Sequence, residues 1–291
     1  CKGSFAVFCC PNCRFSFVDV DFSEEETISL YTTYYPRKSF AKEIHKPFVP
    51  LPPYHAWLSG EKSNVHFFIP KQVKILDIGC GFGESLAFHK SRGCEVWGVE
   101  ADKNVEFLRE VYGEKIKIGE FRKENFPEAY FDFIALNQVI EHLKNPEKLL
   151  RDLKELLKPG GQLIVSTPNP LSAGRKIFGG KWLHWHVPYH VSFFSSKAMG
   201  MLCEKVGFTL ARSICITSSE WFLYQLYHLA SFPGHGNPSP FWGEVGKTRM
   251  QAFSFSLISW VRKFGIHHIW TRIFDVLDMG DNRIFFIDKP R

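Results

Sequence analysis

The sequence predicts an α/β protein, a parallel β-sheet with helices on both faces, and three observations carry that expectation. Short apolar strands alternate with amphipathic helices from Val73 onward, and crossovers of that kind cover both faces of a sheet. One of those strands runs straight into the glycines of Gly79-Cys80-Gly81-Phe82-Gly83, where a backbone without side chains can approach a ligand closely. The chain has 291 residues, 45% of them hydrophobic, enough to bury a full core as one large domain with appendages or two unequal ones.

The elements follow in order. Residues 1–35 form a first unit, in which Cys10-Pro11-Asn12-Cys13 resembles half of a zinc ribbon. Cys10 and Cys13 are candidate zinc ligands with Cys1 as a third, against the alternative of free cysteines, because a tetrahedral site needs four ligands and only one CxxC is present. Within that unit, Ser23 and the acids after it open a helix over residues 23–35. Residues 36–70 hold Pro47, Pro50, Pro52 and Pro53 and read as a linker with a short helix near Tyr54–Leu58, so the domain boundary falls there.

The core over residues 71–216 predicts strands at Val73–Ile78, Glu95–Glu100, Ile116–Ile118, Phe131–Leu136, Gln162–Thr167 and Thr209–Ile216. Helices are expected at Glu84–Ser91, Asn104–Tyr112, Pro146–Leu157 and Ser196–Val206. A last strand, Arg283–Ile287, lies in residues 282–291 and belongs to the same sheet. Residues 217–281 are too long for an ordinary connection and form an insertion, aromatic and helical over Trp221–Phe232 and Phe253–Phe264. A helical cap is the plainer reading of it, and peripheral membrane contact or dimerisation is the alternative.

Charge and cysteine usage bound the partners. A net charge of +6 with scattered Lys and Arg gives no nucleic-acid footprint. Eight cysteines spread along the chain, one inside the glycine run, fit a reducing, cytoplasmic compartment better than a disulfide framework. No signal peptide and no apolar run of membrane-spanning length is visible, and a start at Cys1 suggests a fragment.

The glycine spacing narrows the ligand. A dinucleotide fingerprint needs a third glycine where this chain has Glu84. Asp77, two residues before Gly79, repels a pyrophosphate and suits a cationic ligand with an amino group. Glu100 ends the next strand, 17 residues after Gly83, where its carboxylate can accept both hydroxyls of a ribose. As an acid that serves a ligand, Glu100 is expected to leave the stability of the ligand-free chain almost untouched.

With Ile75-Leu76-Asp77-Ile78-Gly79-Cys80-Gly81-Phe82-Gly83, Glu100, the Lys158-Pro159-Gly160-Gly161 turn and the 181–196 segment rich in His and Trp, the chain resembles the class I S-adenosylmethionine-dependent methyltransferases over about residues 31–216. It is most similar to those that follow an N-terminal zinc ribbon, many acting on sugars, and to the ubiquinone-type O-methyltransferases. The resemblance implies a doubly wound, Rossmann-like sheet of seven strands with the last one antiparallel. It implies S-adenosylmethionine as cofactor, held by Asp77, Gly79, Cys80, Gly81, Gly83, Glu100 and Ala101. Glu120 and Phe121 fall where the family contacts the adenine, and Asn137 and Gln138 beside the methionine portion.

The acceptor is left open: a small molecule or glycan intermediate methylated at a hydroxyl, or a ubiquinone-type or lipid-linked phenol. A protein that keeps the fold without turnover is the reading from another class. A hydroxyl acceptor benefits from a base, and His142 is the first candidate, with Glu141 beside it and His190 among the histidines after the fifth core strand. In the ubiquinone-type enzymes a Glu-x-x-Glu-His pattern at this place is associated with a metal. Gln138 replaces the first Glu here, which leaves two ligands, so no metal is expected beyond the zinc of the N-terminal unit.

Overall fold

The computed structural model describes residues 5–20, 22, 26, 47–234 and 248–291. Cys1, residues 23–25 and 27–35 of the expected helix and the linker up to residue 46 lie outside them.

Strands β1 (Val7–Cys9) and β2 (Ser16–Val18) form a hairpin. Helix α1 (Pro53–Ser59) begins on Pro52-Pro53 and ends at Gly60, whose φ of 71° closes it. The central alternation runs β3 (Lys74–Ile78), α2 (Glu84–Ser91), β4 (Glu95–Glu100), α3 (Leu108–Tyr112) and β5 (Ile116–Ile118). It continues with β6 (Phe131–Asn137), α4 (Pro146–Leu156), β7 (Leu157–Pro168) and α5 (Ala173–Phe178). Then come β8 (Ser192–Phe193), α6 (Ser196–Val206) and β9 (Thr209–Cys215). Helices α7 (Ser219–Ala230), α8 (Arg249–Lys263) and α9 (Ile266–Val276) precede β10 (Asn282–Asp288).

Seven strands make one sheet in the order β5-β4-β3-β6-β7-β10-β9. β3 pairs in parallel with β4 and β6, and β6 with β7, while β10 slots antiparallel between β7 and β9. The strand period of two sends alternate side chains to opposite faces. Leu76, Ile134, Leu136, Leu163, Val165 and Phe285 therefore pack on one side, Ile75, Ala135, Ile164 and Ile284 on the other. Helix α4 shows how the sequence builds a layer. Asn145 caps it by accepting from Lys148 N at 3.0 Å, Pro146 takes the first turn, and Leu149, Leu150, Leu153 and Leu156 bury one stripe, each contributing roughly 1.5–3 kcal/mol.

Three expectations are corrected in detail. The helix expected over Asn104–Tyr112 is broken into a 3-10 turn at Lys103–Val105 and the shorter α3, because the Asp102 side chain accepts from Asn104 N and tightens the entry. Strand Gln162–Thr167 extends back through the Lys158–Gly161 bend to Leu157, with a register shift opposite Phe131–Phe133. In the insertion a third helix, α9, follows Gly265, whose φ of 68° turns the chain between α8 and α9.

Helix α9 of the insertion is fastened to α1 through Arg272, which is held in place by a buried ion pair within α9. Arg272 meets Asp275 at 2.8 Å and donates to the carbonyls of Trp57 and Thr217, while Asp275 accepts from both Thr217 N and Thr217 Oγ1 at 2.8 Å. The N-terminal hairpin is also docked: β2 pairs with β8, Val18 N donates to Val191 O, and Ser195 Oγ donates to Cys13 O. Among the described residues no helix is long and apolar enough to cross a membrane.

Candidate active site

The C-terminal edge of the parallel strands gathers two groups of side chains. The first surrounds the glycine run between β3 and α2. Gly79, Gly81 and Gly83 all have positive φ, at 75°, 54° and 85°. A Cβ on Gly79 would strike Val139 Cγ2 at 2.6 Å and one on Gly83 would strike Leu108 Cδ2 at 2.7 Å, whereas one on Gly81 would meet nothing within 4 Å. Gly81 alone of the three faces open space, and a side chain there would fill a cradle.

The backbone donors of this loop are consumed internally. Gly79 N and Cys80 N both donate to Val99 O, Gly83 N donates to Cys80 O, and Gly81 N donates to Glu100 Oε2 at 2.9 Å. A nest of that kind has no N–H to spare for a phosphate at these four positions, which agrees with the exclusion of a dinucleotide. Glu100 is buried and its other oxygen accepts from Asp102 N at 3.0 Å. The acid therefore ties the glycine loop to the end of β4, and the expectation that it matters only to a ligand is corrected. A carboxylate can accept about four hydrogen bonds, so the tie and a ribose contact are compatible.

Asp77 heads a buried chain of polar groups. Its Oδ2 accepts from Ser85 Oγ at 2.5 Å and lies 3.3 Å from His66 Nε2, and His66 Nδ1 lies 3.0 Å from His89 Nε2. Asp77 Oδ1 is buried without a hydrogen-bond partner. Burial pushes this carboxyl up to about 7, with the Glu100 charge adding to the rise and Ser85 opposing it, and burial holds His66 and His89 down at about 3. A buried carboxyl oxygen without a partner suits a ligand that carries an ammonium group. His66, His89 and Ser85 were not foreseen; His66 sits in the segment read as linker, and nothing in its spacing ties it to Asp77.

The remaining cofactor candidates line the same edge. Ala101 and Glu120 are exposed, Gly119 has open space where a Cβ would sit, and Phe121 is half-buried, stacked on Phe126 at 5.7 Å. Asn137 Oδ1 accepts from Val65 N and Ser166 Oγ. Gln138, at φ 59°, donates its side-chain amide to Ser166 Oγ and Asn282 Oδ1.

The second group forms where β6 ends. Glu141, His142 and His190 converge with their ligand atoms all within 4.8 Å of one another. Glu141 and His142 belong to a 3-10 turn after β6, whereas His190 arrives from the segment before β8. His142 Nδ1 is 3.0 Å from Tyr189 O and His190 Nδ1 is 2.8 Å from His184 O. A carbonyl only accepts, so both rings carry hydrogen on Nδ1 and a lone pair on Nε2. Glu141 is fully buried and neither of its oxygens has a hydrogen-bond partner. Burial pushes its carboxyl up to about 8, and the Thr167 hydroxyl lies near enough to temper the shift without closing a hydrogen bond.

The segment that delivers His190 is clamped from above. Gln225 of α7 accepts from Leu183 N at 2.7 Å and donates to Lys181 O at 2.9 Å, and the His184 ring lies 5.2 Å from Trp221. Trp182 is buried and donates to Asp281 Oδ1 at 2.8 Å, so this tryptophan is part of the frame. In the hairpin, Cys10 and Cys13 flank a tight turn in which Arg14 N donates to Cys10 O. Hydrogen bonds from the Cys13 and Asn12 backbone hold the Cys10 thiol below its ordinary value. Among the described residues these two cysteines meet no third metal ligand.

Known proteins resemble the chain in sequence and in fold. A family model described as a methyltransferase domain matches residues 54–213. An uncharacterized methyltransferase of Schizosaccharomyces pombe is 36% identical over 137 residues, 41% of this chain and 49% of the relative. A ubiquinone biosynthesis O-methyltransferase of Cereibacter sphaeroides is 32% identical over 124 residues, 40% of this chain and 50% of the relative. The chain spans about half the length of these curated relatives. In fold it is similar to the Burkholderia thailandensis 1,6-didemethyltoxoflavin-N1-methyltransferase, solved with 1,6-didemethyltoxoflavin and S-adenosylhomocysteine bound. The TM-score is 0.50 at 13% identity, covering 99% of this chain and 100% of the other.

Proposed function

The chain belongs to the methyltransferase-domain family, and on that premise we propose that it transfers a methyl group from S-adenosylmethionine to a hydroxyl of a small molecule or glycan intermediate. The observation that carries the reading is the open space over Gly81, whose N–H is held by Glu100, on the loop that follows the buried and unpartnered Asp77 Oδ1. Asp77 answers the cofactor's ammonium and Glu100 its ribose hydroxyls. Gly79, Cys80, Gly83 and Ala101 shape the rim, Glu120 and Phe121 border the adenine, and Asn137 and Gln138 stand beside the methionine portion.

A sulfonium methyl is already activated, so holding donor and acceptor in line supplies much of the rate, with effective molarities of about 10⁵ M or more for well-oriented pairs. The acceptor hydroxyl is made nucleophilic at the Glu141, His142 and His190 cluster, which adjoins the cradle on the next strand. Calorimetric titration with S-adenosylmethionine tests the first half of the reading, and transfer of a labelled methyl to a panel of hydroxylated acceptors tests the second. A folded protein that takes up no S-adenosylmethionine overturns it and revives the non-catalytic alternative.

A lipid-linked or ubiquinone-type phenol is the second acceptor class. It is favoured by the exposed apolar face of the insertion, where Phe253, Trp260, Phe264, Ile269 and Ile273 stand in solvent, which would suit a peripheral contact with a membrane carrying the substrate. Methyl transfer to a prenylated phenol that rises on adding anionic liposomes supports that class, and a rate indifferent to liposomes removes it.

A further inference from the structure

Resting on the methyl-transfer reading, we infer that His66, braced by His89, is a positioning residue for the methyl donor: it fastens one oxygen of Asp77 and leaves the other to the ammonium group of S-adenosylmethionine. His66 comes from the 3-10 turn Val65–Phe68 ahead of β3, outside the glycine loop and the two acids. That turn is held at its start, where Asn64 Oδ1 accepts from His66 N at 3.1 Å and Asn137 Oδ1 accepts from Val65 N at 3.3 Å. The end of β6 and the turn's own cap therefore set the place of the ring.

The contacts on Asp77 are one-sided. Oδ2 meets both Ser85 Oγ at 2.5 Å and His66 Nε2 at 3.3 Å, while Oδ1 has no hydrogen-bond partner among the described residues. Ser85 and His89 stand four apart on α2 and so share one face of it. His66 Nδ1 lies 3.0 Å from His89 Nε2, and His89 Nδ1 is buried without a partner. Burial keeps both imidazoles neutral, so each ring has a single N–H. An ionised Asp77 can only accept. His66 then carries its hydrogen on Nε2 and accepts at Nδ1, and His89 carries its own hydrogen on Nε2. Only this assignment gives each of the two close contacts one donor and one acceptor.

The groups that face Asp77 pull in opposite directions. Burial and the charge of Glu100 on β4 favour the neutral acid, and the Ser85 hydroxyl on α2 favours the carboxylate. Cys80 in the glycine loop adds no charge, because burial and the two acids hold it as a thiol. Arg92, just past α2, donates to Ile69 O, and its charge helps to keep His89 neutral. His66 supplies a second donor to the oxygen that Ser85 holds, and donors on the charged form favour that form. Without His89, nothing fixes the His66 hydrogen on Nε2.

Nitrogen-15 NMR of the histidine-labelled, cofactor-free chain at pH 8.5 reads the assignment directly. His66 and His89 should both carry hydrogen on Nε2, in contrast to His142 and His190, whose Nδ1 atoms face carbonyls. Hydrogen on His66 Nδ1 overturns the inference. Carbon-13 NMR of the Asp77 carboxyl, with a native midpoint of about 7, supplies the second readout. His66→Phe keeps the site buried but removes the donor, so it should raise that midpoint by about one pH unit and weaken S-adenosylmethionine binding at pH 7 about fivefold. His66→Gln, whose amide can place a donor near the Nε2 position, should restore most of both. A midpoint unmoved in His66→Phe also overturns the inference, because a ring that only packs would leave it in place. Cofactor uptake with an unmoved midpoint rejects the positioning role and spares the transferase, whereas absence of cofactor uptake by the folded native chain rejects the transferase itself.

Discussion

The two groups of residues proposed for the donor and the acceptor are built in opposite ways. The donor half is contiguous: Asp77 to Gly83 and Glu100 lie within one β-α-β unit, and its loop satisfies its own N–H groups through Val99 O and Glu100. The acceptor half is assembled from the turn after β6 and the segment before β8, clamped by α7 and by the N-terminal hairpin, and leaves the Glu141 carboxyl buried without a hydrogen-bond partner. A self-satisfied loop is a rigid socket for one ligand. A half-satisfied cluster held by several elements can be rebuilt element by element without disturbing the socket.

The two halves should fail separately. His142→Ala or His190→Ala should lower the methyl-transfer rate by roughly 10²- to 10⁴-fold while leaving the dissociation constant of S-adenosylmethionine within a factor of about two. Equal losses in both would merge the halves. Next in size, Arg272→Met strands Asp275 in a buried position against Thr217 and should cost about 3–5 kcal/mol of stability, read in chemical denaturation. A loss under about 1 kcal/mol would mean that the insertion is not fastened there.

Glu100→Ala sharpens the donor side, because the acid serves fold and ligand at once. Removing the acceptor of Gly81 N and Asp102 N should cost the cofactor-free protein roughly 1–3 kcal/mol in addition to weakening the cofactor. An unchanged apo melting temperature would return Glu100 to a purely ligand-facing role. The smallest effect is on pH. The Asp77 carboxyl is raised to about 7, so it gains a proton, and loses its attraction for an ammonium, as pH falls below 7. The cofactor's own amino group is already charged there, so affinity should fall about fivefold from pH 7 to 6. In Asp77→Asn it should be weak and flat across that range.

How much of this was legible in the sequence follows the same division. The central strands, the last strand and the residues of the glycine loop follow from short apolar runs and from glycine spacing, both local signals, whereas the antiparallel direction of the last strand is implied only by the family resemblance. Gly265 reads in the sequence as the end of a helix although it also begins α9, and the Thr248–Gln251 capping box marks the start of α8. The docking of β2 on β8, the His66–His89–Asp77 chain and the meeting of His190 with His142 depend on contacts between distant segments, for which a single sequence carries no periodic trace.

The most direct test of the account is calorimetric titration of S-adenosylmethionine at pH 8 into the native protein, Gly81→Val and His142→Ala. One-to-one binding to the native chain is expected, with the same affinity in His142→Ala and loss of binding in Gly81→Val, whose side chain fills the open space over the loop. Undiminished binding to Gly81→Val, or none to the native chain, would contradict it.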